Sequence, residues 1–368
     1  MPTRRAPFAA LLAAALALAP PGARAEELIR VVVAEGLARV SIGGDGLSLR
    51  EAEDDGAGRP VGAPVEITPA PGGLRVGGQE RPGAVVVTAA TPVRMGDRTL
   101  STSVQVERGA TGLTVVEELP LDEYVAGVLS GEMPRSFPAE AQKAQAVAAR
   151  TYALVKKIEA EASGRGAHLG ASVLSQVYVG GAASPQARAA VEATRGEVLV
   201  FGNEPVEAFF HASCGGRTES GLDALGRDLP YLTSVTCGYC NEAPGVRWKL
   251  ALSGADLARA VGLPARVTAL QVAERSGSGR AARVELTSGG RVVSLAAADL
   301  RQRLGYSRLP SLAFEVVERK GIITFEGRGQ GHGAGLCQWG AAGMARAGKG
   351  YREILAHYYP GTRVVKMY

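Results

Sequence analysis

A single carboxylate and two short sulfur-bearing pairs carry most of the chemistry this sequence can offer. Glu132 stands in Gly131-Glu132-Met133-Pro134, between a short apolar-periodic stretch and a longer one. Leu129, Met133 and Phe137 flank it, and apolar neighbours favour a carboxyl that keeps its proton until a leaving oxygen needs it. The end of the preceding helix acts in the same sense, and the helix starting near Pro138 acts against it. His211-x-x-Cys214 and Cys237-x-x-Cys240 form two short pairs separated by a loop, the spacing of a Cys3His zinc set. His211, Cys214, Cys237 and Cys240 are therefore the candidate ligands, and zinc the candidate cofactor. Disulfide bonding is the rival reading in an oxidising compartment. Three nearby cysteines cannot pair completely among themselves, so one must reach Cys337 or stay free. A zinc ion with four protein ligands is closed and structural, which argues against a zinc hydrolase that needs an open coordination position.

A third constellation lies near the end of the chain, where His332 sits in Gly329-Gln330-Gly331-His332-Gly333-Ala334-Gly335. Glycines this dense let a backbone approach a ligand closely. No Lys-Ser/Thr follows, which excludes a phosphate loop, and neither a Gly-x-Ser-x-Gly elbow nor a His-Glu-x-x-His motif occurs. Trp339 can stack on a sugar or fill the core, and typical Trp burial favours the core.

The elements that must position these residues follow from periodicity. Residues 26–117 hold short apolar or alternating runs at 29–33, 65–67, 84–89, 104–106 and 113–116, punctuated by Gly and Pro. That pattern predicts a β-rich module with no chemistry of its own. Asp122 and Glu123 open a short helix through Leu129, and Gly131 to Pro134 break it. A longer helix follows, with Ser136 as N-cap and Pro138 in its first turn. Ala141, Ala144, Ala148, Thr151, Tyr152 and Val155 share one of its faces, and Lys156 and Lys157 fall in its last turn. Residues 196–210 and 230–237 read as strands. Residues 253–318 read as an inserted α/β subdomain, with helices at 254–261 and 295–304 and strands at 267–272 and 282–286. A helix pair runs up to Tyr359. The fold class is α+β: a β-rich N-terminal module (26–117), then a mixed domain (118–252 and 319–368) interrupted by the insertion.

Composition sets outer limits. Arg4 and Arg5, an apolar run to Pro20 and Ala23-Arg24-Ala25 make residues 1–25 a secretory signal peptide, too short to span a bilayer. Its removal takes three arginines and no acid, so the formal charge of +5 becomes +2. A near-neutral mature chain with 5% aromatic residues has neither the electrostatic footprint nor the stacking residues of a nucleic-acid binder. At 46% hydrophobic it can bury a core. The expected location is the periplasm or cell envelope.

The motifs together resemble one family. The stretch Leu119-Pro-Leu-Asp-Glu-Tyr-Val-Ala-Gly-Val-Leu-Ser-Gly-Glu-Met-Pro134, followed by Pro138 to Leu154, is similar to the stage II sporulation protein D family, which includes the amidase enhancers. Ser175-Gln-Val-Tyr178, Phe209-Phe-His-Ala-Ser-Cys-Gly-Gly216, Pro230-Tyr-Leu-Thr-Ser-Val235, residues 327–341 and His357-Tyr-Tyr-Pro-Gly-Thr362 fit as well. The resemblance implies an exported peptidoglycan lytic transglycosylase with Glu132 as catalytic residue. It makes His332, Gln338, Ser213, Tyr178 and Arg150 the candidate substrate contacts. One carboxyl suffices for this chemistry, because the sugar's own 6-hydroxyl attacks and closes a 1,6-anhydro ring, unlike the paired scheme of ordinary glycosidases. The expected partner is the peptidoglycan glycan strand. The alternative the resemblance also carries is a non-catalytic, glycan-binding enhancer of a wall amidase, with a membrane-bound partner left open.

Overall fold

The computed structural model describes residues 26–170, 178, 180 and 183–368. The leader segment and Ser175, Gln176 and Val177 of the Ser-Gln-Val-Tyr match lie outside the described residues.

Alternation of buried valines with exposed polar residues builds the front of the molecule. In Ser103–Arg108, Val104 and Val106 point inward and Gln105 and Glu107 do not. This strand lies inside a six-stranded antiparallel sheet ordered Leu28–Leu37, Leu113–Pro120, Ser103–Arg108, Val85–Thr88, Ser48–Glu51, Arg59–Pro60. A four-stranded sheet (Val40–Ile42, Val65–Ala70, Gly73–Val76, Gln79–Arg81) faces the same apolar interior. The strand Leu113–Pro120 runs straight into helix α1 (Leu121–Glu132), and Leu121, Tyr124, Val125 and Val128 join the valine core of the sheet. The β-rich front half and the first helix thus share one core.

Helix α1 extends through Gly131, so Glu132 is its last residue rather than part of a break. Helix α2 (Ala139–Ala162) is capped by Pro138, not Ser136, which lies exposed in the preceding turn. A fixed proline φ and a missing N–H suit that end of a helix, where donors have no intrahelical partner. The helix also runs more than a turn past Lys157. Its alanine face, Ala141, Ala144 and Ala148, is fully buried in a second core shared with Met133, Phe137, Leu336 and Tyr358. Small side chains there let the C-terminal helices approach α2 closely, and Ala146, Ala149 and Ala153 on another side of α2 share the first core with α1 and α3 (Pro185–Ala193).

Residues 230–237 form no strand beyond a bridge between Arg217 and Thr236. That segment bonds through irregular loops instead, with Val235 accepting from Thr218. Short helix α4 (Gly221–Leu225) precedes it. The third core gathers Leu257 of α5 (Gly254–Val261), Val284 and Leu286 of a three-stranded sheet, Leu300 of α6 (Ala297–Leu304) and Phe314, Ile323 and Phe325. The flanking strands Arg247–Ser253, Phe314–Arg319 and Ile322–Arg328 pack on this core, so the unit is wider than residues 253–318. Helix α6 begins two residues later than expected, because Leu295 and Ala296 continue the strand Arg291–Ala296. Helices α7 (Gln338–Arg346) and α8 (Tyr351–Tyr358) close the chain, followed by Arg363–Lys366 paired with Glu197–Phe201. Among the described residues no helix is long and apolar enough to cross a membrane.

Candidate functional site

Glu132 is half-buried at the end of α1, where Met133 and Phe137 turn the chain into α2. Gln338, the first residue of α7 and buried, donates its side-chain amide to Glu132 Oε2 at 3.3 Å. Trp339 follows it and meets Phe137 edge-on at 4.8 Å between ring centroids. The carboxyl is thus reached by a neutral donor from the helix that also carries Trp339. Tyr124, two turns earlier on α1, is buried, and burial together with the nearby Glu132 charge pushes its phenol well up.

The thiols form a second centre beside the first. The Sγ atoms of Cys214, Cys237, Cys240 and Cys337 all lie within 4.8 Å of one another, and the Cys214–Cys240 pair is 3.6 Å apart. A tetrahedral zinc with S bonds of about 2.3 Å has S–S edges of about 3.8 Å, whereas a disulfide needs about 2.05 Å. All four cysteines are free and buried. Backbone amides point at the sulfurs: Cys214 and Gly340 donate to Cys337 Sγ at 3.2 and 3.3 Å, and Gly216 donates to Cys214 Sγ at 3.4 Å. Cys337 is the N-cap of α7, where four helix donors have no intrahelical partner. Burial pushes its thiol up, and hydrogen bonds within the cluster, from Cys214 first, pull Cys240 down. Four thiolates around a dication leave about −2. The buried Arg280, which donates to the Cys214 carbonyl at 2.7 Å, lies where it offsets part of that charge. The donor set, spacing and local charge all suit a metal ion, and this cluster can hold one.

His211 is not a member. Its backbone pairs with Cys337 in a short parallel bridge, and its Nδ1 lies 3.1 Å from the Ala334 carbonyl. Burial drives its imidazole well below its usual range, and Nε2 is buried without a hydrogen-bond partner. Cys337 takes the fourth place because that same bridge carries it against Cys214, 123 residues earlier.

The expected substrate contacts separate into distinct roles. Of these, Gln338 donates to Glu132. His332 Nδ1 accepts from Ala334 N–H at 3.1 Å, so Nε2 donates to the Phe210 carbonyl at 2.9 Å. Both ring nitrogens are spent on backbone, and burial lowers the ring to about 4. Its polar atoms clamp the glycine-rich segment instead of facing a sugar. Ser213 is buried and exchanges backbone hydrogen bonds with Gln330. Arg150 is fully buried, paired with Asp122 at 2.6 Å and donating to the carbonyls of Val191 and Glu197. A guanidinium with those partners ties three elements together and has no face left for substrate. Tyr178 packs on Tyr124 at 5.1 Å, beside the buried Glu117, and burial pushes its phenol up. It fits against Gly127 of α1, where a Cβ would meet the ring at 2.5 Å.

Sequence reasoning missed Cys337 as a cluster member and Arg280 altogether. The first had a signal, since four cysteines make a complete set and the odd one lay in the same motif as Gln338. Nothing local marks Arg280, which lies in the insertion and works through tertiary contacts.

Residues 109–201 match the family described as Stage II sporulation protein, and residues 242–335 match a domain of unknown function (DUF8618). The chain is 36% identical over 258 residues to an uncharacterized protein of Brachyspira hyodysenteriae, covering 69% of this chain and 68% of that one. It is 28% identical over 288 residues to the amidase enhancer of Bacillus subtilis, covering 64% of this chain and 39% of that one. With stage II sporulation protein D of Bacillus subtilis it shares 31% identity over 296 residues, 74% of this chain and 82% of that protein. The chain therefore belongs to the stage II sporulation protein D family.

Proposed function

We propose that this protein is an exported lytic transglycosylase that cleaves peptidoglycan glycan strands, with Glu132 as its proton-transferring group. The observation that carries this reading is the half-buried Glu132 carboxyl, which the buried Gln338 reaches from the start of α7. As an acid, Glu132 protonates the glycosidic oxygen. As a carboxylate, it then takes the proton from the sugar's 6-hydroxyl as that oxygen closes the 1,6-anhydro ring. The internal nucleophile supplies the entropic advantage that a separate water would lack. Gln338 holds one carboxyl oxygen of Glu132 in place.

Zinc is the metal we assign to Cys214, Cys237, Cys240 and Cys337. Bound there it would be structural: it would fix the N-terminus of α7 and so hold Gln338 against Glu132. Incubation of purified glycan strands followed by mass spectrometry tests the activity. The expected product is the 1,6-anhydromuramyl end, made by the native protein and absent with Glu132→Gln. Absence of that product with native protein, or its persistence with Glu132→Gln, removes the proposal.

The match to an amidase enhancer favours a second reading, in which the fold binds glycan and a wall amidase does the cutting. That reading expects amidase stimulation that survives Glu132→Gln.

A further inference from the structure

The turn that joins the strands Val267–Arg275 and Ala281–Ser288 leaves the insertion's own core and enters the thiol-bearing loops. Its last residue, Arg280, is 4% exposed. Nη2 donates to the carbonyls of Cys214 and Arg217 at 2.7 and 3.0 Å, so one guanidinium holds both ends of the loop between them. Inside that loop Gly215 and Gly216 take φ of 74° and 114°, a region that glycine enters freely. The bend aims the Gly216 amide at Cys214 Sγ, 3.4 Å away, and the Gly215 amide at Cys240. The same guanidinium lies against Gly333 of the glycine-rich segment, where a Cβ would come within 2.8 Å of Nη2.

Glu219 seats the turn. It is buried, and its carboxylate accepts from the hydroxyls of Ser276 and Ser278 and from the Ser220 amide. Its own amide donates to the Gly333 carbonyl at 2.9 Å. Ser278 Oγ also accepts from Arg280 Nη1 at 2.9 Å and so bridges guanidinium and carboxylate. Among the described residues Arg280 forms no direct ion pair, and its Nε is buried without a hydrogen-bond partner.

A buried permanent charge is costly unless opposite charge lies close to it. Two carbonyls and a hydroxyl need only a neutral donor, so hydrogen bonding alone does not account for a guanidinium here. The cluster does. Cys214 is one of its four thiols, and four thiolates around a dication carry about −2.

We propose that Arg280 is a positioning residue of the metal centre. It clamps the Cys214–Arg217 loop against the glycine-rich segment and sets a positive charge beside the thiolates. The domain of unknown function, residues 242–335, thereby completes the metal centre instead of standing apart from it. The inference rests on the metal reading of the four thiols.

Zinc affinity of the full chain, measured by competition with a chromogenic chelator below the melting temperature of every variant, tests it. Arg280→Gln should bind zinc at least about ten-fold more weakly, the scale of losing charge-assisted bonds. Arg280→Lys keeps the charge without the fork and should recover to within about three-fold of native protein. Leu300→Ala opens the third core, which holds none of the thiols. It should lower the melting temperature yet leave zinc affinity within about two-fold, a contrast that general loosening of the insertion does not produce. Ser278→Ala removes only the hydroxyl shared by Arg280 and Glu219, in a half-exposed turn, and should weaken zinc about three-fold even if Arg280→Gln does not fold. Unchanged affinity in Arg280→Gln or in Ser278→Ala, an equal loss in Leu300→Ala, or Arg280→Lys as weak as Arg280→Gln would each overturn the proposal. Native protein that takes up no zinc would remove the metal reading itself, and this inference with it.

Discussion

Gln338 donates to Glu132 across 3.3 Å, joining the last residue of one helix to the first residue of another that lies 206 positions later. Cys337, the residue just before Gln338, caps the same helix and belongs to the thiol cluster. The candidate acid and the candidate metal centre are therefore mechanically coupled through one peptide bond, and the first expectations follow from that coupling.

Gln338→Ala removes a donor without removing the acid. Glycan cleavage should fall about ten-fold in kcat/KM, the scale of one hydrogen bond of about 1–1.5 kcal/mol, while Glu132→Gln abolishes it. Both variants should keep the native melting temperature within a few degrees. Equal activity of Gln338→Ala and native protein would remove Gln338 from the site.

Metal content separates the cluster from its neighbour. Elemental analysis should find one zinc per chain in native protein and in His211→Ala, and a loss of zinc in Cys337→Ser and in Cys237→Ser. Chelation should lower the melting temperature by roughly 10 °C or more, the effect of losing several kcal/mol of structural metal binding in a chain of this size. Zinc retained in Cys337→Ser but lost in His211→Ala would restore the Cys3His set.

Gly340 faces the cluster directly. A Cβ there would lie 2.0 Å from Tyr358 Oη and 2.7 Å from Cys237 Sγ, and neither can retreat within the buried core. Gly340→Ala should cost about 3 kcal/mol or more by overpacking and reduce zinc occupancy as well. A destabilisation below about 1 kcal/mol in urea titration would contradict the geometry.

Arg150 is fully buried with Asp122, so removing one partner strands the other. Arg150→Met should destabilise the fold by roughly 3–5 kcal/mol, and the double variant with Asp122→Asn should lose less than the single change. A substrate-binding role would instead raise KM at unchanged stability.

His332 gives a pH signature. Burial lowers its ring from an ordinary 6.5 to about 4, so the unfolded chain binds the extra proton first as pH falls. Its contribution is complete above pH 6.5 and is lost as pH drops from 6.5 toward 4, by no more than about 3 kcal/mol. His332→Gln should be less stable at neutral pH and show a flatter stability curve in that window. An unchanged slope would mean that the ring titrates alike in both states.

Much of the architecture is written in local periodicity. Alternating valines fix the front sheet because one register alone buries them, and the helix at 254–261 is bracketed by Ser253, whose hydroxyl caps it, and Gly262 in the left-handed region. Motif order alone puts Glu132 and the glycine-rich segment in one family pattern. Side-chain roles were less legible. Arg150 and Tyr178 lie in matching motifs, yet the fold spends them on an ion pair and on packing. The choice of Cys337 over His211 depends on a parallel bridge between residues over 120 positions apart, and the grip of Arg280 on Cys214 depends on where the insertion's turn docks. Spacing along a chain limits which atoms can meet within a turn or two. Which of them meet across a hundred residues is settled by which faces bury together, and that decision belongs to the tertiary structure.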